Sequence, residues 1–132
     1  MNPFEIPLTE EDITKLKEII ERKNPCDLDI SKSFNSIWYR DMESETELRL
    51  LFLGEIKLTI SRVAFKNKRV ETMTDVYEFL KEICVSKKIA KLVVQSVETP
   101  EMAAWCLKNE FQPNQCCIEF ENFLAGDYEI IL

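Results

Sequence analysis

The sequence predicts an α/β (α+β) domain, a mixed β-sheet with about four helices packed on it. Three observations predict this class. First, Ile56, Leu58 and Ile60 alternate with polar residues, Val76, Phe79, Leu80 and Ile83 recur at helical spacing, and Leu92-Val93-Val94 is a continuous apolar run, all within 45 residues. That succession of strand, helix and fully buried strand is the pattern of a right-handed βαβ unit with parallel strands. Second, an amphipathic helical pattern opens the chain. Third, two alternating segments close it, as an antiparallel hairpin does. No repeat, low-complexity stretch or linker divides residues 1–132, so a single domain is expected.

The elements follow in order. Phe4–Leu8 reads as a short first strand. Thr9 can cap a helix whose first turn, Glu10-Glu11-Asp12, sets three acids at the positive end of its dipole. Ile13, Leu16, Ile19 and Ile20 form its apolar face, and Lys23-Asn24-Pro25 ends it. Ile30, Phe34, Ile37 and Trp38 fall at i, i+4, i+7 and i+8 and read as a second helix. Glu47–Leu53 reads as a strand and Gly54-Glu55 as a turn. After Ile60 the apolar phase slips by one residue, to Val63 and Phe65, which predicts a bulge or break near Ser61-Arg62. The segment Lys66–Thr72 is a basic loop, and Thr72 starts a third helix, as its cap, that ends near Ser86-Lys87-Lys88. Thr99-Pro100 opens a fourth, with proline at its first position. Cys116–Glu121 and Tyr128–Leu132 then form the closing hairpin around Ala125-Gly126-Asp127.

Composition excludes several chemistries. The chain has no histidine, which removes Ser–His–Asp and Cys–His catalysis and the commonest zinc ligand. It has only two glycines, Gly54 and Gly126, where average usage gives roughly nine at about 7%. An intact GxGxxG or Walker loop is therefore absent. Residues 1–47 hold 12 acids and 6 bases, and the rest holds 12 acids and 11 bases, so most of the net charge of −7 sits in the first third. A broad nucleic-acid-binding face needs the opposite sign. No apolar run approaches the roughly 20 residues that span a bilayer, and the N-terminus has no basic and apolar signal-peptide pattern. The five cysteines are odd in number and lack a C-x-x-C pair, as in reduced thiols of a cytoplasmic protein. No metal site is expected.

The order of elements and five stretches of sequence resemble the GNAT superfamily of acetyl-CoA-dependent N-acetyltransferases. Pro7-Leu8-Thr9-Glu10-Glu11-Asp12-Ile13 resembles the family's opening segment. Phe65-Lys66-Asn67-Lys68-Arg69-Val70-Glu71-Thr72 sits where the pyrophosphate loop, Q/R-x-x-G-x-G/A, would be. Val93-Val94-Gln95-Ser96-Val97 resembles the strand that follows. Thr99–Phe111 is similar to the family's fourth helix, Asn-x-x-A-x-x-x-Tyr, which ends in Gly-Phe. The terminal hairpin completes the layout. The loop is degenerate. Lys66 takes the Gln/Arg slot, but Arg69 and Glu71 hold the two glycine slots, Thr99 holds the Asn slot, Cys106 the Tyr slot and Glu110 the closing glycine.

The resemblance implies acetyl-CoA as ligand and direct acetyl transfer to a small-molecule or peptide amine. The strand around Arg62, Val63 and Phe65, which in the family splays from its neighbour, would hold the pantetheine arm. Lys66, Lys68, Arg69, Val70, Glu71 and Thr72 would lie against the pyrophosphate, with Thr99 nearby and Cys106 in the place of the proton donor. Trp38 and Tyr39 fall where the family sets its acceptor-side helices. Read alone, the loop is a solvated basic turn, Cys106 is a packed thiol, and Glu55, Glu119 and Glu121 are surface carboxylates, any of which could take a proton from an ammonium through water. A second reading is a non-catalytic GNAT-like interaction module whose acidic first third binds a protein partner, and a third is a homodimer that pairs the edge strands of the last hairpin.

Overall fold

The computed structural model describes residues 5–65 and 71–132. Among them are three helices, α1 (Glu10–Lys23), α2 (Thr72–Ser86) and α3 (Pro100–Lys108). The eight strands are β1 (Asp29–Ser33), β2 (Ser36–Asp41), β3 (Thr46–Leu53), β4 (Lys57–Ala64), β5 (Lys91–Val97), β6 (Gln112–Pro113), β7 (Ile118–Phe120) and β8 (Phe123–Ile131). The sheet runs β1-β2-β3-β4-β5-β8-β6, with β7 paired to β8. All pairs are antiparallel except β4 and β5, the parallel pair joined through α2.

The strand phase decides which face is core. Ile37, Tyr39, Leu48, Leu50, Phe52, Leu58, Ile60, Leu92, Val94 and Tyr128 point one way into a single cluster with Ile13, Leu16 and Ile20 of α1 and Val76, Leu80 and Ile83 of α2. The Tyr39 hydroxyl donates to the Ile13 carbonyl at 2.9 Å, tying α1 to β2. Tyr77 of α2, Trp105 of α3 and Phe111 form an aromatic triad with centroids 5.3–5.8 Å apart, and Trp105 Nε1 donates to Thr74 Oγ1 at 3.1 Å. The helices thus pack side by side on one face. The intervening residues, among them Trp38, Arg40, Glu47, Arg49, Leu51, Thr59 and Val93, occupy the other.

The N-terminal helix forms as the sequence predicts, with a capping box in which Thr9 Oγ1 accepts from Asp12 N–H and the Asp12 carboxylate accepts from Thr9 N–H. The second predicted helix does not form. Ile30–Trp38 is instead the β1–β2 hairpin, with register Ser33↔Ser36 around a turn at Phe34-Asn35. Ile37-Trp38-Tyr39 is a β-branched and aromatic run, and its alternate residues Ile37 and Tyr39 are buried, while Phe34 is 88% exposed in the turn. Helical spacing here is coincidence, and the described residues hold three helices where about four were expected. Glu5–Leu8 is not a strand; Phe4 lies outside the described residues.

The closing hairpin is present, but its turn is at Glu121-Asn122, between Phe120 and Phe123. Gly126, expected in that turn, lies inside β8 at φ +141°, where a Cβ would meet Cys117 Sγ at 2.8 Å. Here glycine marks a strand irregularity rather than the reversal.

Candidate functional site

The expected bulge is where the phase slip puts it. On the β3 side of β4, Leu50 pairs with Ile60 but Arg49 pairs with Arg62, so Ser61 is the extra residue, its hydroxyl donating to the Arg49 carbonyl at 3.3 Å. The bulge returns Val63 to the face of Leu48 and Ile60. A second irregularity was not anticipated. Against β8, Val94 pairs with Tyr128 and Val97 with Gly126, so two residues of β5, Gln95 and Ser96, face the single Asp127. Ser96 has φ +54°, and its N–H donates to Asp127 Oδ1 at 2.9 Å. The sequence carries a signal for it: Val94 to Val97 is the same three-residue apolar step as Ile60 to Val63.

These two irregularities flank one opening. The parallel pairing of β4 with β5 runs from Lys57↔Lys91 to Ile60↔Val94 and stops there. Both strands continue, β4 to Ala64 along β3 and β5 to Val97 along β8. The central strands therefore splay beyond Ile60 and Val94, at the carboxyl end of the parallel pair, where open α/β sheets bind ligands.

Two helix N-termini stand at the same end. α2 follows β4, and α3 follows β5. The first-turn amides of a helix have no intrahelical acceptor and carry the positive end of its dipole. Thr72 is not the cap of α2. Glu71 is the cap, exposed and making no side-chain capping bond, and Thr72 is the first helical residue. The Thr72 side chain is buried and accepts from Asn24 Nδ2 at 2.7 Å, while Asn24 Nδ2 also reaches the Ile20 carbonyl. The end of α1 thereby fixes the start of α2, assisted by the ion pair of Lys23 with Asp75 at 3.0 Å. Thr99 caps α3, its Oγ1 accepting from Met102 N–H at 3.2 Å.

The remaining site residues separate. Arg62 is on β4, exposed and ion-paired with Glu47, which holds its guanidinium pKa above the ordinary value. Val63 and Phe65 are half-buried and pack against the core. Lys66, Lys68, Arg69 and Val70 lie outside the described residues. Cys106 is fully buried in α3 beside Ala103 and Phe111, and desolvation pushes its thiol up to about 12. Trp38 and Tyr39 stand on β2, not on a helix. Of the three carboxylates, Glu55 sits in the turn before β4, at the opposite end from the splay. Glu119 and Glu121 are exposed near the last hairpin, and Glu119 lines a 650 Å³ groove with Pro100, Ala103 and Tyr128. Some acids of the first third are engaged: Asp12 in its cap, Glu10 with Lys32 at 2.7 Å, and Glu21 with Lys17 at 2.8 Å and with the Leu28 N–H. Among the described residues no cluster of three or more Cys, Asp or Glu is placed to hold a metal ion, and no helix is long and apolar enough to cross a membrane.

A crystal structure described as a probable acetyltransferase (GNAT family) from Chromobacterium violaceum ATCC 12472 superposes on this chain with a TM-score of 0.53. The match covers 75% of this chain and 60% of the other, at 11% sequence identity. The fold is GNAT-like. No protein-family model matches the sequence, and no curated protein matches it. At that identity the likeness is one of fold alone.

Proposed function

We propose that this chain binds acetyl-CoA in the splay between β4 and β5 and directs acetyl transfer to an amine. The observation that carries the reading is the end of β4–β5 pairing at Ile60↔Val94 while both strands run on. Strands that separate there leave main-chain groups of Arg62–Phe65 and Ser96–Val97 without each other as partners. An extended amide-containing arm is the ligand shape that pairs with such an edge. The α2 amides after Glu71 and the dipoles of α2 and α3 suit the diphosphate at one end of the arm. Glu71, the cap of α2, is exposed and makes no side-chain capping bond, and its carboxylate at that end would repel the diphosphate.

When bound, acetyl-CoA supplies the acetyl group as a thioester. The chain's own residues position it and manage the amine's proton. With no histidine, a carboxylate or water takes that proton. We place this role at Glu119, because it alone of the three candidate carboxylates lines a groove against the first turn of α3. Cys106 we assign to packing: a fully buried thiol pushed up to about 12 has no access to a ligand and gives up its proton poorly near neutral pH.

Thermal melting with acetyl-CoA tests the reading. A ligand at 100 times its dissociation constant stabilises by about 2.7 kcal/mol. A dose-dependent rise in melting temperature is expected, and no rise at millimolar acetyl-CoA would end the proposal. Given binding, Glu119→Gln should lower kcat and leave the KM for acetyl-CoA in place.

A further inference from the structure

The sheet face away from the helices carries a cationic cluster whose side chains the acetyl-CoA reading does not use. Trp38 on β2, Arg49 on β3 and Arg62 on β4 are in register as Trp38↔Arg49 and Arg49↔Arg62. Arg40 joins them, its Cζ 4.6 Å from the Trp38 ring centroid, with the Arg49 Cζ at 5.3 Å. Two arginines directly opposite each other on one face repel, and counter-charge relieves the repulsion. Glu47 supplies part of it, paired with Arg62 and, at 3.7 Å, with Arg40. Arg49 has no carboxylate partner among the described residues.

Hydrogen bonding points to the same spot. Arg49 Nε and Trp38 Nε1 are both buried and have no acceptor among the described residues. Two orphaned donors on directly opposed residues are uncommon, because buried donors are nearly always paired. A water would satisfy a donor but would not balance the charge of Arg49. An oxyanion does both, and guanidinium with indole N–H is a donor set suited to one. The chain as a whole has a net charge of −7, which argues against a nucleic acid as the source.

We propose that the open sheet face binds a small-molecule oxyanion, a phosphate or carboxylate group, at Arg49 and Trp38, with Arg40 and Arg62 framing the position. This does not rest on the acetyl-CoA reading and can hold if that reading fails.

The two tryptophans make the test internal. Trp105 Nε1 donates to Thr74, whereas Trp38 Nε1 has no acceptor among the described residues. Inorganic phosphate and, separately, succinate are titrated into ¹⁵N-labelled protein at constant ionic strength, with sodium chloride as the control. The Trp38 indole and Arg49 Nε–H resonances should shift saturably with at least one of the two anions, and the Trp105 indole should stay in place. The anion that acts names the source as phosphoryl or carboxylate. Arg49→Met should weaken the Trp38 response about tenfold or more, with an unmoved Trp105 indole showing that the variant is folded. If that variant does not fold, Trp38→Phe read at Arg49 Nε–H serves in its place, and a saturable shift there still supports the site. The proposal is overturned if neither resonance moves, if both follow chloride equally, or if Arg49→Met leaves the midpoint unchanged.

Discussion

Deleting Ser61 should abolish acetyl-CoA binding while leaving the fold intact. Ser61 is the one residue of β4 without a partner of its own on β3; the pairs on either side are Leu50↔Ile60 and Arg49↔Arg62. Without it, Ile60, Arg62 and Val63 alternate in sequence and keep their present partners Leu50, Arg49 and Leu48, so no core residue changes face. The deletion removes the hydroxyl's bond to the Arg49 carbonyl, which is long at 3.3 Å. Such a bond contributes about 0.5–1 kcal/mol, or roughly 2–5 °C in Tm for a domain of this size. What changes is the bend. A bulge kinks its strand, and a regular β4 would run on beside β5 past Ile60↔Val94 and close the splay. In differential scanning calorimetry the intact chain should gain about 2.7 kcal/mol at 100 times the dissociation constant, roughly 10 °C, and the deletion variant should gain nothing. Ser61→Ala keeps the extra residue and should keep the gain. A deletion variant that melts near the parent and still responds fully to acetyl-CoA would refute the reasoning.

Further predictions concern charge, backbone and pH. Glu71→Gly removes a carboxylate at the cap of α2 and should tighten acetyl-CoA binding about fivefold or more, since two like charges 4 Å apart cost about 1 kcal/mol even in water; unchanged affinity in calorimetric titration would show that Glu71 faces away from the phosphates. Gly126→Ala should destabilise by about 1–3 kcal/mol in urea unfolding, because φ is +141° and the new Cβ meets Cys117 Sγ at 2.8 Å and Cα at 3.2 Å. Stability should also fall above about pH 9. Burial pushes Cys84 and Cys106 up to about 12 in the folded state, so both keep protons that the unfolded chain, near the ordinary thiol value of 9.0, has lost. The unfolded state then binds fewer protons, and each thiol removes up to about 1.4 kcal/mol per pH unit between about 9 and 12. Urea midpoints measured from pH 7 to 10 should drop less steeply in the double variant Cys84→Ala/Cys106→Ala.

Local signals that agree with burial were legible in the sequence. The capping box at Thr9, the βαβ unit from β4 to β5 and the Thr99 cap are each fixed by residues near one another in the chain. The bulge at Ser61 was legible too, because a half-buried strand must keep its apolar residues on one face. The β1–β2 hairpin was not. Its turn residues, Phe34-Asn35, lack glycine, and the spacing of Ile30, Phe34, Ile37 and Trp38 fits a helix face equally well. Only pairing with β3, which brings Leu48 opposite Tyr39, decides the matter. Gly126 misled for a related reason: glycine marks either a turn or a close approach, and Cys117 supplies the approach. At the candidate site, the place of the splay was legible and the partners of its residues were not. That Asn24 would hold Thr72, and Glu47 would hold Arg62, depends on pairings between segments distant in sequence.

The central claim is that the opening between β4 and β5 is a binding slot for acetyl-CoA. Backbone amide shifts recorded during an acetyl-CoA titration test it most directly. The predicted result is a saturable perturbation centred on residues 61–65, 71–73 and 96–99. A perturbation centred elsewhere, or none at millimolar acetyl-CoA, would contradict it.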